Sequence, residues 1–294
     1  MVGKALNLYS LNHPNKESEK EYKRLIGIDH LKSNLLSTLE LLLDPKLIDA
    51  WATKHHNNKV PIIKQVHSGT PLIILSGEVG CGKTALAQSI ATPLGIKMQK
   101  NITVFETPSN IRGSGLVGEI SNRITEVFEM VKRKLKPEDY GILIIDEADD
   151  IATSRSQNQA HHEDRAGLNV LIKQIDLIKK EKVHMAVILI TNRLSTLDPA
   201  VRRRTTLELT FERPNVEQLE SVIDFLFEGQ KIDLAERKKT LDYLLQSKIP
   251  YSFSDIIQRV AKQTIYQAIE LDIPFNIELF YKTLQTVEPS PLLE

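Results

Sequence analysis

Three things are scarce in this 294-residue chain: cysteine, net charge and long apolar runs. Cys81 is the single cysteine, so no intrachain disulfide can form, and a reducing, cytoplasmic setting is expected. The 38 basic residues are matched by 38 acidic ones, which leaves no overall basic field to recruit nucleic acid or an anionic membrane surface. No apolar run approaches the ~20 residues needed to cross a bilayer, and the opening segment MVGKALNLYSLNHPNKESEKEYK lacks the apolar stretch of a signal peptide. Membrane and nucleic-acid partners are therefore not expected. Internal repeats and low-complexity tracts are absent as well.

What is present is a core-forming chain, 41% hydrophobic, in which short apolar runs alternate with helical periodicity. Residues 1–24 are polar and read as an N-terminal extension or short arm. Leu31, Leu35, Leu39 and Leu42 recur at helical spacing until Asp44-Pro45 stops the helix. Residues 71–75, 102–105, 141–146 and 185–190 are compact apolar runs suited to strands buried on both faces, and 207–211 alternates like a more exposed one. Between them lie helices near 84–91, 120–135 and 168–178; the second places Ile120, Ile124, Val127, Phe128, Val131 and Leu135 on one face. The alternation predicts an α/β domain with a parallel five-stranded sheet sandwiched by helices. Beyond Pro214 only helical patterns follow, near 216–227, 233–246, 254–271 and 277–287, with Asn215, Ser254 and Asn276 as expected N-caps. The predicted organisation is an extension (1–24), a large α/β domain (25–212) and a smaller helical lid (213–294).

The chemistry concentrates in four places. Gly77-Glu78-Val79-Gly80-Cys81-Gly82-Lys83-Thr84 fits the phosphate-binding loop pattern G-x-x-x-x-G-K-[ST], with Ala85 opening the helix beyond it. Glycines let the backbone curl so that successive N–H groups point at phosphate oxygens; Lys83 can reach the β- and γ-phosphates, and the Thr84 hydroxyl can take a position on magnesium. A chance glycine-rich turn is the alternative, but a random chain of this length carries the pattern at only about the one-per-cent level. An apolar strand ending in Asp146-Glu147 supplies the complement: Asp146 to hold magnesium, Glu147 to orient and deprotonate an attacking water. Asp149 and Asp150 read as a solvated helix start. Asn192, at the tip of the 185–190 run, can hydrogen-bond the γ-phosphate or the water; a plain turn residue is the alternative. Arg202, Arg203 and Arg204 follow Asp198-Pro199-Ala200. Alone they read as a solvated basic patch; in a ring-forming ATPase they would face a neighbour's γ-phosphate.

Together these segments resemble the AAA+ ATPases over residues 25–269. The resemblance implies an Mg-dependent ATPase with ATP and Mg2+ as cofactors, working as a homo-oligomeric ring, expected to be hexameric. It places Ile26, Gly27 and Ile28 beside the adenine, makes Asn192 the sensor, and assigns Arg203 and Arg204 as arginine fingers. Residues 251–256 are similar to the opening of the lid helix, where the arginine of the family's second sensor is missing. Leu116-Val117 occupies the place of the pore loop that grips an extended polypeptide, with Leu116 where an aromatic residue usually stands. Residues 118–141 and 165–176 resemble the pachytene-checkpoint members, which remodel HORMA-domain proteins. The compact layout is similar to bacterial relatives that act in cyclic-oligonucleotide antiphage systems. That implies a HORMA-domain protein with an associated nucleotidyltransferase as partner. Two rival readings remain: another AAA+ motor of the severing or disassembly type, and a nucleotide-gated scaffold without catalysis. His161-His162-Glu163-Asp164 is read as a polar loop rather than a metal site, and the Lys132–136 cluster as a solvated helix end rather than a DNA-binding patch.

Overall fold

In the computed structural model, which describes residues 6–57, 60–66, 69–108, 118–152 and 162–292, the chain forms two units. The first takes in residues 1–22, 30–76 and 84–210; the second groups 23–29 and 77–83 with 211–294. Among the described residues no helix is long and apolar enough to cross a membrane.

The first unit is built on six strands: β1 (Tyr9–His13), β2 (Leu72–Gly77), β3 (Ile102–Glu106), β4 (Tyr140–Ile145), β5 (Met185–Thr191) and β6 (Leu207–Phe211). Their order across the sheet is β1-β3-β4-β5-β2-β6. The pairs β3–β4, β4–β5 and β5–β2 are parallel. In β4 and β5 every residue is buried, so their unbroken apolar runs follow from having no solvent face at all. β6 is half-exposed and alternates accordingly.

The expected helix-flanked sheet is present, with one strand more than the five expected. Residues 9–13, read from sequence as part of a polar arm, form β1, which runs antiparallel to β3 with Leu11 opposite Val104. An edge strand needs only one ladder and tolerates polar residues on its free side, which is why YSLNH carries no apolar signature. His13 secures this strand. It is 2% exposed, and its Nδ1 lies 2.8 Å from the Thr92 hydroxyl.

Burial pushes the His13 imidazole down from 6.5 to about 4. Its Nε2 is buried and has no partner among the described residues. Because the folded value lies below the unfolded one, this contribution is intact above pH 6.5 and is lost as the pH falls through about 4. Denaturation between pH 7 and 4.5 should show a fall of about 2 kcal/mol that His13→Gln flattens. An equal pH slope in that variant would rule His13 out as the cause.

The helices of this unit are α1 (Lys16–Arg24), α2 (Asp29–Leu43), α3 (Lys46–His56), α4 (Ile62–Val66), α5 (Lys83–Ser89), α6 (Ala91–Met98), α7 (Glu119–Lys134), α8 (Asp149–Ala152), α9 (His162–Lys180) and α10 (Pro199–Arg202). α7 buries the face its spacing predicts: Ile120, Ile124, Val127, Phe128 and Val131 join Leu168, Leu171, Ile175 and Ile178 of α9 in one core with Leu143 and Val187 of the sheet. Each such side chain contributes about 1.5–3 kcal/mol. The two helices approach so closely that a Cβ on Gly167 would stand 2.5 Å from Ile120.

The second unit holds α11 (Val216–Leu226), α12 (Leu234–Gln246), a π-helical turn (Asp255–Ala261) continuing into α13 (Lys262–Glu270), and α14 (Ile277–Leu284). Phe227 stacks on Phe275 and meets Phe280 edge-on, with centroids 4.9 Å and 5.7 Å apart. Asn215 caps α11 in a reciprocal box with Gln218, and Asn276 caps α14. Ser254 does not cap; it already has helical angles and makes no side-chain cap bond. The cap is Ser252, whose hydroxyl accepts from the Asp255 N–H while Asp255 accepts from the Ser252 N–H.

Candidate functional site

The loop after β2 is shaped by its contacts within the second unit. A Cβ on Gly77 would lie 2.1 Å from the Phe211 carbonyl oxygen, so only glycine can leave the strand here, and the Glu78 N–H donates to that same oxygen at 2.9 Å. Gly80 has φ +75° and packs against the Ser252–Ser254 turn, where a Cβ would meet the Ser252 hydroxyl and Ser254 Cβ at 2.8 Å. Lys83 is 6% exposed and folds back on the loop, its Nζ donating to Gly77 O at 2.7 Å and Glu78 O at 2.6 Å. Both of these acceptors are neutral carbonyl oxygens. Cys81 is buried, and burial pushes its thiol up to about 11, which keeps it protonated and suits a space-filling role. Val79 is exposed.

The segment predicted to meet adenine lies along this loop. A Cβ on Gly82 would be 3.5 Å from Leu25 and 3.9 Å from Ile28, which is buried. Gly27 has φ +77°, and its carbonyl accepts from Gln218 Nε2 at 2.6 Å. Ile26 is half-buried beside it.

In the first unit the strand registers bring three chain ends level: Ser76 of β2 stands opposite Thr191 of β5, and Ile145 of β4 opposite Leu189. Thr84, at the start of α5 and followed by half-buried Ala85, donates its hydroxyl to Asp146 Oδ2 at 2.8 Å. Asp146 Oδ1 accepts from the Glu147 N–H at 2.8 Å. A hydroxyl and a carboxylate facing each other are hard oxygen donors of the kind magnesium prefers. Glu147 is exposed and sits at φ +53°, a left-handed conformation costing a β-carbon residue about 1–2 kcal/mol. Its turn is held by the Ala148 N–H donating to Ile190 O at 2.8 Å.

Asp149 is not merely a solvated helix start. It accepts from the Thr191 hydroxyl at 2.8 Å, and Thr191 in turn accepts from the Arg193 N–H at 2.9 Å. The tip of β5 that carries exposed Asn192 is thereby fixed to the end of β4. Periodicity does not reveal such a contact between distant residues.

The arginines differ from one another in ways their sequence hides. Asp198 caps α10 by accepting from the Ala200 N–H at 2.7 Å. Arg202 pairs with Glu208, and Arg204 with Asp176, each at 3.3 Å. Arg203 is exposed and donates from Nε to the Pro199 carbonyl within its own helix. Leu116 and Val117 lie outside the described residues, as does His161.

Residues 73–214 match the ATPase family associated with various cellular activities. CD-NTase-associated protein 6 of Escherichia coli strain MS 115-1 is 35% identical over 299 aligned positions, spanning 96% of this chain and 94% of that protein. A chain of the solved E. coli MS115-1 HORMA:CdnC:Trip13 complex superposes with a TM-score of 0.89 at 33% identity, covering 98% of both chains. Rhizobiales Trip13 follows at 0.74 and 29%, covering 96% of this chain and 98% of that one. The resemblance to the pachytene-checkpoint type of AAA+ protein, read first from residues 118–141 and 165–176, is borne out by these relatives. With nucleotide binding and ATP hydrolysis as the family's activity, this chain belongs to the AAA ATPases, among the Trip13-like relatives of CD-NTase-associated protein 6.

Proposed function

We propose that this chain is a magnesium-dependent ATPase that works as a homo-hexameric ring in the bacterial cytoplasm and remodels a HORMA-domain protein associated with a nucleotidyltransferase, as part of cyclic-nucleotide antiphage signalling. The observation that carries the catalytic part is the Thr84–Asp146 pair at 2.8 Å with Glu147 as the next residue. Magnesium, held by the Thr84 hydroxyl and Asp146, supplies charge neutralisation at the phosphates. Lys83 exchanges its carbonyl partners for phosphate oxygens, and the loop amides of 77–84 cradle the rest. Glu147 takes the proton of the attacking water, and Asn192 orients that water or the γ-phosphate. Arg203 and Arg204 reach the site of a neighbouring subunit, so that two chains complete one centre.

The HORMA and nucleotidyltransferase assignment is supported by relatives found with such partners: the E. coli structure is a HORMA:CdnC:Trip13 complex. Leu116-Val117 is the segment proposed to grip the substrate chain in the pore.

Two linked measurements test this reading. Phosphate release from ATP should vanish with a divalent-ion chelator and return with added magnesium. ATP with this chain should also separate a HORMA–nucleotidyltransferase complex, while a non-hydrolysable analogue should not. Turnover that persists without divalent ions would sink the magnesium assignment. Hydrolysis that leaves the complex intact would sink the HORMA assignment and leave the ATPase standing.

A further inference from the structure

Residues 287–291, which follow α14, are fastened back onto the second unit by two buried polar routes, and both end on the phosphate loop. The first runs through Arg213, whose side chain is 5% exposed. All five of its N–H donors are used: Nε and Nη2 to Glu78 Oε2, Nη1 to Pro250 O and Ser290 O, and Nη2 also to Pro291 O. The Glu78 contacts are 3.2 Å and those to Ser290 and Pro291 are 2.8 Å. Glu78 is the residue whose carbonyl holds Lys83.

The second route runs through Asp255, which is 1% exposed. Its Oδ1 accepts from the Ser290 hydroxyl at 2.5 Å and from Arg259 at 2.8 Å; its Oδ2 accepts from the Ser252 hydroxyl at 2.8 Å and the Ser290 N–H at 3.2 Å. Ser252 is the residue against which Gly80 packs, and the Ser254 N–H donates to Gly80 O at 3.0 Å. Arg259 also donates to Glu288 O, and the Tyr251 hydroxyl to Val287 O. Burial alone would raise the Asp255 carboxyl, but the bonds from Ser290, Ser252 and Arg259 outweigh it and hold the group well below the usual carboxylate range.

We propose that residues 287–291 form a strap that positions the phosphate loop for nucleotide, with Arg213 and Asp255 as its positioning residues. The inference rests on the nucleotide reading of residues 77–84 given above. The loop must present its amides in one conformation before phosphate arrives, and ordering it at the moment of binding would weaken affinity. The strap supplies that order at two points, the Glu78 side chain and the Gly80 backbone. It does so through two buried charged groups, Arg213 and Asp255, each of which would lose its counter-charge if Glu78 or Arg259 were removed. Because coupling between two sites is reciprocal, nucleotide must also hold the strap down.

The test uses the full chain. Arg213→Gln should raise the KM for ATP about tenfold with kcat changed less, Arg213→Lys should recover part of the loss, and Ser290→Ala, a milder change, should raise KM about threefold. Glu78→Gln combined with Arg213→Gln should cost no more than the larger single change. Hydrogen exchange at residues 287–291 should slow when ADP is added. Should Arg213→Gln fail to fold, Ser290→Ala and the exchange measurement still decide. A lower melting temperature with unaltered KM in Ser290→Ala and Arg213→Lys, and exchange at 287–291 indifferent to ADP, would reduce the strap to a structural tail. Failure of the unsubstituted chain to bind nucleotide would instead overturn the reading of the loop itself.

Discussion

Replacing Glu147 with glutamine is expected to leave ATP bound and uncut. The amide keeps the size of the carboxylate and can still hydrogen-bond a water, but it cannot take that water's proton. A positioned general base contributes roughly 10²–10⁴ in rate, so turnover should fall by that factor while the affinity for ATP stays within about twofold. Glutamine tolerates the left-handed backbone at this position no better and no worse than glutamate, so the fold is unaffected by the change. Single-turnover phosphate release, measured beside equilibrium binding of the same nucleotide, separates the two quantities. Normal release by the variant would remove Glu147 from the chemistry. A loss of binding would mean that its carboxylate holds the nucleotide rather than the water.

The arginine segment should give the other large effect. Arg203→Ala is expected to lower kcat by about 10³ or more, since a finger at the γ-phosphate contributes roughly 10³–10⁵, with binding preserved. Arg204→Ala should cost less in rate and something in stability, because Arg204 is tied to Asp176 and to the Ala200 carbonyl, whereas Arg203 is exposed on its short helix. Complementation distinguishes a finger acting on a neighbour from one acting in its own chain. Mixing Arg203→Ala chains with Glu147→Gln chains places an intact Arg203 beside an intact Glu147 at some interfaces, and turnover should reappear there. Mixed assemblies that stay silent, although each variant assembles, would locate the arginine's role within its own chain.

The parts of this molecule that could be read in advance share a physical cause. β2, β4 and β5 are buried on both faces, so their sequences are continuous apolar runs, and the loop after β2 must be glycine-rich because Gly77 touches the Phe211 backbone. The same holds for α7, whose buried stripe is visible at 3.6-residue spacing. The features that escaped depend on partners remote in sequence. Asp149 is explained by Thr191, and Arg213 by Glu78 on one side and Ser290 on the other. The cap at Ser252 is different, because its signal lies in the sequence: Ser252-Phe253-Ser254-Asp255 has the S-x-x-D form of a capping box. Sequence also could not rank Arg203 against Arg204, since only packing decides which guanidinium is left exposed.

β1 has a bearing on how the protein behaves in concentrated solution. Five mostly polar residues cover the ladder of β3, whose outer side would otherwise offer unpaired N–H and C=O groups to any passing strand. β1 presents its own free side instead, short and with Ser10 and Asn12 exposed, a poor template for further pairing. Trimming the N-terminal side past His13, in the belief that residues 1–24 are a dispensable arm, would lay bare a buried apolar strand at the rim of the sheet. Such a shortened chain would be expected to clump rather than to crystallise.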